Sequence, residues 1–255
     1  MKNANAVTTN KAIALVLKYF LISLLLFTPL LLLFSFLQPH HHHQQQHQLN
    51  TIPDSSANRD LRIRPGYDSY QTYIDRQLSK TLNPKLRQIW TTRDWDRKIT
   101  VFSQFFSDLK RRGLLANGSR ALCVGARVGQ EVEALRRIGV NDSTGIDLVP
   151  YPPLVVKGDF HSQPFGNETF DFEFSNVFDH ALYPERFVGE IERTLKVGGV
   201  CVLHVALSRR ADKFSANDLF SVAPLVELFR RSEMVASRVV DGFGLDTEVV
   251  FRKKY

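Results

Sequence analysis

Cysteine is scarce in this sequence, with only Cys123 and Cys201 among its 255 residues. Two cysteines cannot form the framework of several disulfides that holds small secreted proteins together, and the sequence also lacks the paired Cys-x-x-Cys spacing of structural zinc sites. No internal repeat is present, which excludes solenoid and propeller architectures. The composition therefore favours an ordinary globular domain, and no metal site is predicted.

Charge is missing from a long segment near the N-terminus. Residues 12–37 contain one charged side chain, Lys18, and residues 19–37 contain none. About 20 apolar residues suffice to span a bilayer, and the run is longer than the apolar core of a cleaved signal peptide. The segment 12–37 is therefore predicted to be a transmembrane signal anchor in contact with the lipid bilayer.

The distribution of lysine and arginine around this segment predicts its orientation. Lys2 and Lys11 precede it, whereas residues 38–57 contain neither lysine nor arginine. Positive charge stays on the cytosolic side, so residues 1–11 are expected to be a cytosolic tail and the remaining chain lumenal. This is the topology of a single-pass type II membrane protein, and the Golgi or the endoplasmic reticulum is the expected organelle.

Two further features agree with a lumenal domain. Asn-x-Ser/Thr sequons occur at Asn117, Asn141 and Asn167, all in predicted loops, where glycosylation would take place. Residues 38–58 include the tract HHHHQQQH, and nothing apolar surrounds it. A solvated low-complexity stalk is a simpler interpretation of this tract than a metal site.

A strongly basic segment follows the stalk. Residues 59–112 hold 13 basic and six acidic residues, so their net charge of +7 equals that of the whole chain. Apolar residues recur at helical spacing on both sides of an Asn83-Pro84 break, which predicts amphipathic helices. Two interpretations of this helical cap, residues 59–113, stay open. Its apolar faces pack on a sheet beneath solvated charges, or its helices cover an open sheet edge and attract an anionic substrate.

The segment from residue 120 to residue 159 carries the clearest indication of ligand binding. Residues 121–124 are short and apolar and predict a buried strand, and the apolar positions beyond the following loop have helical spacing. Gly125 and Gly129 allow the backbone of that loop to turn sharply and to approach a ligand closely. The start of the helix offers free N–H groups to an anion.

Acids follow the next two predicted strands. Asp147 ends a strand at residues 143–147, where a carboxylate at the carboxyl edge of a parallel sheet accepts hydrogen bonds from both ribose hydroxyls of an adenosine. Asp159 follows the apolar run 154–156 and is placed to bind the adenine amino group. A nicotinamide dehydrogenase is disfavoured because its GxGxxG fingerprint would need a glycine where this chain has Arg127.

The later sequence, residues 165–205, reads FGNETFDFEFSNVFDHALYPERFVGEIERTLKVGGVCVLHV. It predicts a strand at 170–175, a helix at 184–195, a turn at Gly198-Gly199 and a strand at 200–205. In order and spacing these elements and the preceding glycine loop resemble the class I S-adenosylmethionine-dependent methyltransferases, of the type 11 kind. The resemblance covers about residues 117–255.

This resemblance implies a Rossmann-like, doubly wound α/β fold with a mostly parallel seven-stranded sheet and an antiparallel C-terminal strand. Valine-rich segments at 234–241 and 246–252, with a glycine-bearing turn between them, predict the closing hairpin. The transmembrane helix and the capping helices precede this methyltransferase-like domain, which is expected to span residues 114–255.

The resemblance also bears on the two cysteines. In such a sheet the strand at 170–175 lies between the strands of Cys123 and Cys201. Two strand spacings come to about 9.6 Å, which is beyond the reach of a disulfide. Both cysteines are therefore expected to be buried free thiols.

S-adenosylmethionine is the cofactor that the resemblance implies. The predicted cofactor-binding residues are Gly125, Ala126, Arg127, Gly129, Asp147, Leu148, Asp159, Phe160 and Asn176. Family members usually carry an acid two residues before the first glycine and a third glycine midway through the loop, where this chain has Cys123 and Arg127. Arg127 is either a cation for the methionine carboxylate or a solvent-facing side chain on a degenerate loop.

Methyl transfer from a sulfonium depends mainly on aligning the nucleophile with the methyl group. The predicted catalytic residues are His180 and Asp179, which would face that group, and His180 is able to take a proton near neutral pH. Structural interpretations stay open, with His180 as a loop residue and Asp179 as a helix cap. A carboxyl acceptor would require no base.

The methyl acceptor cannot be identified from these residues, but the basic cap points to an acidic glycan or a small molecule. Nucleic acid is not an expected partner of a lumenal domain. The alternative to an enzyme is a catalytically inactive, membrane-anchored module of methyltransferase-like fold that binds a partner without chemistry.

Overall fold

The computed structural model describes residues 60–207 and 212–255. The predicted cytosolic tail, transmembrane anchor and stalk, residues 1–58, lie outside the described residues. Within the described ranges no helix is both long enough and apolar enough to cross a bilayer. The predictions for residues 1–58 therefore stay predictions.

In the described part of the chain, three helices precede the central sheet: α1 (Tyr70–Thr81), α2 (Pro84–Thr91) and α3 (Trp95–Arg111). The hydroxyl of Ser69 accepts a hydrogen bond from the Thr72 N–H and so caps α1. The amide oxygen of Asn83 caps α2 in the same way, and Pro84 occupies its first turn, where a missing N–H costs nothing. The helices therefore break at the Asn83-Pro84 step that the sequence indicates.

Seven strands form the main sheet in the order β4-β3-β2-β5-β6-β9-β8. Their bounds are β2 (Ala121–Val124), β3 (Ser143–Asp147), β4 (Val155–Lys157), β5 (Phe170–Ser175), β6 (Leu195–Val205), β8 (Ser232–Val239) and β9 (Thr247–Lys253). Neighbours from β4 to β6 are parallel, whereas β9 runs antiparallel to both β6 and β8. The predicted Rossmann-like α/β fold with an antiparallel C-terminal strand is confirmed.

The remaining helices are α4 (Gln130–Arg137), α5 (Pro184–Thr194), α6 (Ala223–Leu228) and a short 3-10 helix, Phe178–His180. A second sheet pairs β1 (Leu61–Ile63) with β7 (Asn217–Leu219) in antiparallel fashion. This small sheet is not predicted by the sequence. It joins the start of the described chain to the segment that follows β6.

Strand β6 differs from its predicted bounds. It begins at Leu195, directly after α5, instead of after a separate Gly198-Gly199 turn. The pairing register with β5 shifts between Phe170 and Phe172, and Gly198 has a φ of +79°. The two glycines therefore lie in an irregularity within the strand, because a glycine is able to take the left-handed conformation without ending the pairing.

Both faces of the sheet are covered. Phe102 and Phe106 of α3 are fully buried against Phe172 and Phe174 of β5, and the rings of Phe106 and Phe174 meet edge to face at 5.0 Å. Helix α5 covers the other face. Each large apolar side chain buried in this way contributes about 1.5–3 kcal/mol. The aromatic stripe of α3 is thus core packing, the first of the two interpretations of the cap.

The two cysteines occupy the centre of this sheet. Cys123 on β2 and Cys201 on β6 flank β5, and both are buried free thiols as predicted. Burial raises the pKa of each thiol well above its usual range, because the thiolate would lose its hydration. Neither sulfur is therefore reactive in the folded protein.

Candidate functional site

A cavity of about 260 Å³ opens where β2, β3 and β5 end. The loops after these strands form one wall, and helices α1 and α2 of the cap form the other. The lining residues are Tyr73, Gln77, Lys80, Thr81, Leu86, Trp90, Gly125, Arg127, Asp147, Leu148, Asp159, Phe160, Asn176, Val177, His180 and Asp212. Helices α1 and α2 therefore cover the open sheet edge, as the second interpretation of the cap requires. The attraction of an anionic substrate stays a prediction.

Gly125 shapes the floor of this cavity. Its φ is +76°, and a Cβ at this position would lie 2.3 Å from Cγ2 of Val177. The N–H groups of Gly125 and Ala126 both donate to the carbonyl of Ile146 on β3, at 2.9 and 3.1 Å. Only glycine fits this conformation and this spacing, whereas Ala126 is buried behind the loop and does not line the cavity.

Gly129 has a supporting role outside the cavity lining. It precedes α4 with a φ of +83°, and a Cβ here would lie 2.6 Å from Cβ of Leu154. This close approach sets α4 against the segment before β4. The second glycine thus positions the loop, and the structure does not bring it to the cavity surface.

The carboxylate of Asp147 is held at the cavity by two backbone donors. The N–H of Arg127 donates to Oδ2 at 2.9 Å, and the N–H of Val149 donates to Oδ1 at 3.2 Å. Burial raises the pKa of Asp147, while these two bonds oppose that shift. A carboxylate fixed in this way has further lone pairs for hydroxyl donors of a ligand.

Asp159 is fixed by side chains as well as by backbone. The Tyr70 hydroxyl donates to Oδ2 of Asp159, and the N–H of His161 donates to Oδ1 at 2.8 Å. Nε2 of His161 accepts from the N–H of Tyr183, so its Nδ1 carries the hydrogen and donates to the Tyr70 oxygen at 2.9 Å. Although burial acts in the opposite direction, the bonds from His161 and Tyr70 lower the pKa of Asp159.

The remaining predicted cofactor residues also reach the cavity. Leu148 and Phe160 provide apolar surface, and the ring of Phe160 is supported edge to face by Phe187 at 5.2 Å. Asn176 follows β5, and its Nδ2 donates to Oε1 of Glu131 at 3.1 Å. This end of the cavity thus combines two carboxylates with an apolar strip, which suits a nucleoside.

Arg127 lines the cavity instead of pointing to solvent. Its guanidinium lies over the Trp90 ring, with Cζ 5.3 Å from the centroid. Its φ of +50° turns its own N–H toward Asp147, a geometry that a third glycine would otherwise provide. The arginine is therefore accommodated by Trp90 of the cap, and its charge lies at the wall of the cavity.

His180 lies at the other end of the cavity, against α1. Its Nε2 is 3.2 Å from Nζ of Lys80, and its Nδ1 is 2.9 Å from Oε1 of Gln77. Because an ammonium group has only donors, Nε2 accepts from Lys80 and Nδ1 carries the proton donated to Gln77. His180 is thus a neutral imidazole whose basic nitrogen already accepts a hydrogen bond.

Lys80 is held in place by a carboxylate. Its Nζ donates to Oδ2 of Asp212 at 2.7 Å. Burial raises the pKa of Asp212, but the bonds from Lys80 and from the Phe214 N–H outweigh it and hold that pKa at about 2. Asp212 therefore stays ionised near neutral pH. Burial lowers the pKa of Lys80, and the bond with Asp212 opposes that shift. A cation, a carboxylate and a neutral imidazole form what we term the acceptor end: Lys80, Asp212 and His180.

Asp179 does not line the cavity. Its Oδ2 accepts from the hydroxyl of Ser215, and its backbone carbonyl accepts from the N–H of Ala216 at 2.7 Å. It does not cap α5 either, since Tyr183 stands at that position without a side-chain bond. Asp179 thus anchors the segment after residue 212, while His180 beside it faces the cavity.

The comparisons with known proteins agree with this geometry. Residues 122–203 match a family model described as a methyltransferase domain. Over these residues the chain is similar to a methyltransferase domain. They include Asp147, Asp159 and the loop at Gly125, so the matched segment contains the sheet side of the cavity. No curated protein matches the chain at a significant level.

Solved structures show the same fold as the methyltransferase domain at low sequence identity. A 1,6-didemethyltoxoflavin-N1-methyltransferase from Burkholderia thailandensis, with its substrate and S-adenosylhomocysteine bound, has a TM-score of 0.58 at 16% identity, over 80% of this chain and 100% of that one. A methyltransferase from Haloferax volcanii, solved in complex with its activator, has a TM-score of 0.53 at 18% identity, over 69% of this chain and 97% of that one. At these identities the likeness concerns the fold.

Several residues of the methyltransferase cavity are missed by sequence reasoning. Lys80, Gln77 and Trp90 come from the cap, and Asp212 comes from the segment after β6. The spacing of Gln77 and Lys80 on one face of α1 was available in the sequence, but which face meets the cavity depends on packing. For Asp212 the sequence contains no signal, since it lies in an irregular segment.

Proposed function

We propose that this chain transfers a methyl group from S-adenosylmethionine to an acidic acceptor. The observation that carries this proposal is the fixed carboxylate of Asp147, at the end of β3, in a cavity that lies within a class I methyltransferase domain. Bound cofactor supplies an activated methyl group on a sulfonium. The chain itself has to bind, orient and enclose the reactants.

The residues at the ends of β2, β3 and β4 fit the adenosine part of this cofactor. Asp147 would accept from the ribose hydroxyls, and Asp159 would accept from the adenine amino group. Leu148 and Phe160 offer apolar surface to the base. Gly125 allows the loop to pass closely beside Val177, since a Cβ there would collide with that side chain.

The acceptor end favours an acidic methyl acceptor. Lys80 brings a partly buried cation to the cavity, and it lies in the segment that holds the excess positive charge of the chain. The basic nitrogen of His180 accepts from Lys80, so it takes a proton only after that contact breaks. Methylation of a carboxylate needs no proton acceptor, which agrees with this arrangement.

We further propose that residues 12–37 anchor the protein as a signal anchor, with the methyltransferase domain in the lumen of the Golgi or the endoplasmic reticulum. The charge distribution around the segment supports this topology. The sequon residues Asn117, Asn141 and Asn167 are exposed, as glycosylation requires. An acidic glycan would then be an acceptor of suitable chemistry.

Calorimetry on the full-length chain with S-adenosylhomocysteine tests the cofactor assignment. Saturable binding with one ligand per chain is expected, and no binding at millimolar ligand would overturn the enzyme assignment. Incubation with methyl-labelled cofactor and a panel of uronic-acid glycans and small carboxylates tests the acceptor. A carboxylate acceptor gives a base-labile methyl ester, whereas a base-stable label would contradict this acceptor class.

The topology has a separate test. Intact microsomes containing the protein are treated with protease, and detergent-solubilised microsomes are treated in parallel with glycosidase. We expect the domain to be protected from the protease and the chain to shift in mobility after glycosidase treatment. Digestion of the domain in sealed vesicles would place it in the cytosol instead.

A further inference from the structure

A group of buried polar side chains lies behind one wall of the cavity. Gln130 and Glu131 begin α4 and are 0% and 1% exposed. Among the described residues, Oε1 of Gln130, Oε2 of Glu131 and Nε of Arg127 are buried without a hydrogen-bond partner. A buried polar atom normally has a partner, and leaving a charged one without it is costly. Three such atoms within five residues leave unused hydrogen-bonding capacity at one place beside the cavity.

A second cation faces this group from the cap. Lys98 on α3 is 7% exposed, and its ammonium lies 5.1 Å from the centroid of the Phe243 ring. Burial, with the nearby charge of Arg127, lowers the pKa of Lys98 to about 8, while Glu131 opposes this shift. Lys98 is therefore mainly charged at neutral pH. We define the polar cluster as Lys98, Arg127, Gln130 and Glu131.

The polar cluster connects directly to the lining of the cavity. Oε1 of Glu131 accepts from Asn176, and Nε2 of Gln130 donates to the backbone carbonyl of Trp90 at 2.9 Å. Asn176, Trp90 and Arg127 all line the cavity. The cluster therefore lies directly behind residues that line the cavity, on the side of the glycine loop.

The position of Glu131 relates it to the acid that is missing from β2. Oε1 of Glu131 accepts from Asn176, which follows β5, the strand paired with β2. The charge of Glu131 adds to burial in raising the pKa of Cys123. Cys123 stands where class I methyltransferases usually carry an acid. Glu131 thus brings a carboxylate from the start of α4 to the region that the missing acid would serve.

We propose that the polar cluster binds the amino-acid end of the cofactor, with Glu131 accepting from its ammonium group and Lys98 and Arg127 donating to its carboxylate. A zwitterion needs an anion and cations side by side, and the cluster contains both with unused hydrogen-bonding capacity. Entry requires the Arg127 guanidinium to leave the face of Trp90. This inference rests on the proposed function, because the adenosine part has to bind in the same cavity.

Three ligands separate the contributions. S-adenosylhomocysteine carries the whole amino-acid end, its decarboxylated analogue keeps only the ammonium group, and 5′-methylthioadenosine lacks both. Calorimetry on the full-length chain compares wild type with Glu131→Gln and with Lys98→Met. Glu133→Gln on the same helix is the matched control, since Glu133 pairs with Arg137 at the surface.

We expect Glu131→Gln to lower the affinity for S-adenosylhomocysteine and for the decarboxylated analogue by about 10-fold to 100-fold. This is the range expected for the loss of a charged hydrogen bond. The affinity for methylthioadenosine should stay within about twofold of wild type, because that ligand does not reach the cluster. Lys98→Met should lower the affinity for S-adenosylhomocysteine alone, because only that ligand carries the carboxylate. Glu133→Gln should leave all three affinities unchanged.

The ligand series also separates the two proposals. If methylthioadenosine binds wild type but S-adenosylhomocysteine binds no tighter, the role of the cluster is refuted while the adenosine site stands. If Glu131→Gln weakens all three ligands equally, Glu131 has only a structural role. Thermal unfolding of the ligand-free variants checks that they are folded. If no ligand binds wild type, the proposed function fails, and this inference fails with it.

Discussion

The two ends of the cavity are held by different kinds of contact. At the adenosine end, Asp147 is fixed by N–H groups of the adjacent loops, 20 and 2 positions away in sequence. At the acceptor end, Lys80 contacts His180 and Asp212 at separations of 100 and 132 positions. The first end depends mainly on strand endings, with one added bond from Tyr70 of the cap to Asp159. The second end depends on how the cap meets two distant segments.

This difference indicates which part of the function is general and which is specific. Backbone contacts at strand ends are set by the fold, so they suit a cofactor that many proteins of one fold use. Side chains of the cap can be exchanged without changing the sheet, so they are suited to determine which acceptor binds. We therefore expect the two ends to respond independently to substitution, and the following predictions test that independence.

The largest effect is expected at the adenosine end from Asp147→Ala. This substitution removes the acceptor for the ribose hydroxyls and frees the N–H groups of Arg127 and Val149. Affinity for S-adenosylhomocysteine should fall by about 100-fold or more, measured by calorimetry. Asp142→Ala, an exposed acid just before the same strand, is the control. A loss of less than tenfold would mean that the adenosine end is not built around Asp147.

Gly125→Ala should disturb the same end through the backbone. A φ of +76° and the contact with Val177 make alanine unfavourable there, at a cost of about 1–3 kcal/mol in the free energy of unfolding. Gly189→Ala is the matched control, because Gly189 lies in α5 with open space around it. Alanine at position 189 should raise the free energy of unfolding by about 0.5–1 kcal/mol. Urea unfolding of both variants measures the contrast, and a neutral Gly125→Ala would contradict the described loop.

A third prediction concerns the sheet beneath both ends. Glu173 on β5 is fully buried, and burial raises its pKa to about 8 although Thr194 donates to its Oε1 at 2.7 Å. Between an unfolded pKa near 4.5 and about 8 the folded state binds the extra proton. Stability should therefore fall as pH rises through this window, by roughly 1.4 kcal/mol per pH unit.

Glu173→Gln tests this dependence, since the amide stays neutral at every pH. Urea unfolding between pH 5 and pH 8 should show a flatter stability profile for the variant than for wild type. Glu233→Gln, half exposed on the edge strand β8, should keep the wild-type profile. An equal slope in wild type and Glu173→Gln would assign the dependence to other groups.

The smallest effect is expected from Lys80→Met at the acceptor end. This change removes the cation that contacts His180 and Asp212, but it leaves Asp147 and Asp159 in place. Affinity for S-adenosylhomocysteine should stay within about twofold of wild type, since the substitution lies away from the adenosine contacts. Lys85→Met on the exposed face of α2 controls for loss of charge. A larger loss of affinity would show that the two ends are coupled and would contradict their independence.

Much of the sheet could be predicted from the sequence. The bounds of β2, β3 and β5 agree with the predicted strands. Strand β2 is a short apolar run before a glycine, β3 ends at an acid, and β5 has phenylalanine at every second position. The glycine loop and the acids at Asp147 and Asp159 follow from those strand ends. Local patterns were sufficient here, since the strands of a parallel sheet place their carboxyl ends at one edge.

The parts that could not be predicted depend on contacts between distant segments. Strands β1 and β7 have three residues each, and each is a strand only because it pairs with the other. Arg127 stands where a third glycine is usual, and the sequence leaves two interpretations of it open. Its stacking on Trp90 depends on where α2 lies. Tyr70 begins α1, and nothing in the sequence indicates its bond to Asp159.

The two thiols on either side of β5 provide an internal probe of the sheet. Cys123 and Cys201 are both buried, on the two strands that flank β5. A thiol reagent therefore reaches them only when the centre of the sheet opens. Their modification rate would therefore report the opening equilibrium of the folded domain itself. Ligand binding at the sheet edge should slow that rate, so occupancy of the cavity becomes measurable without knowledge of the acceptor.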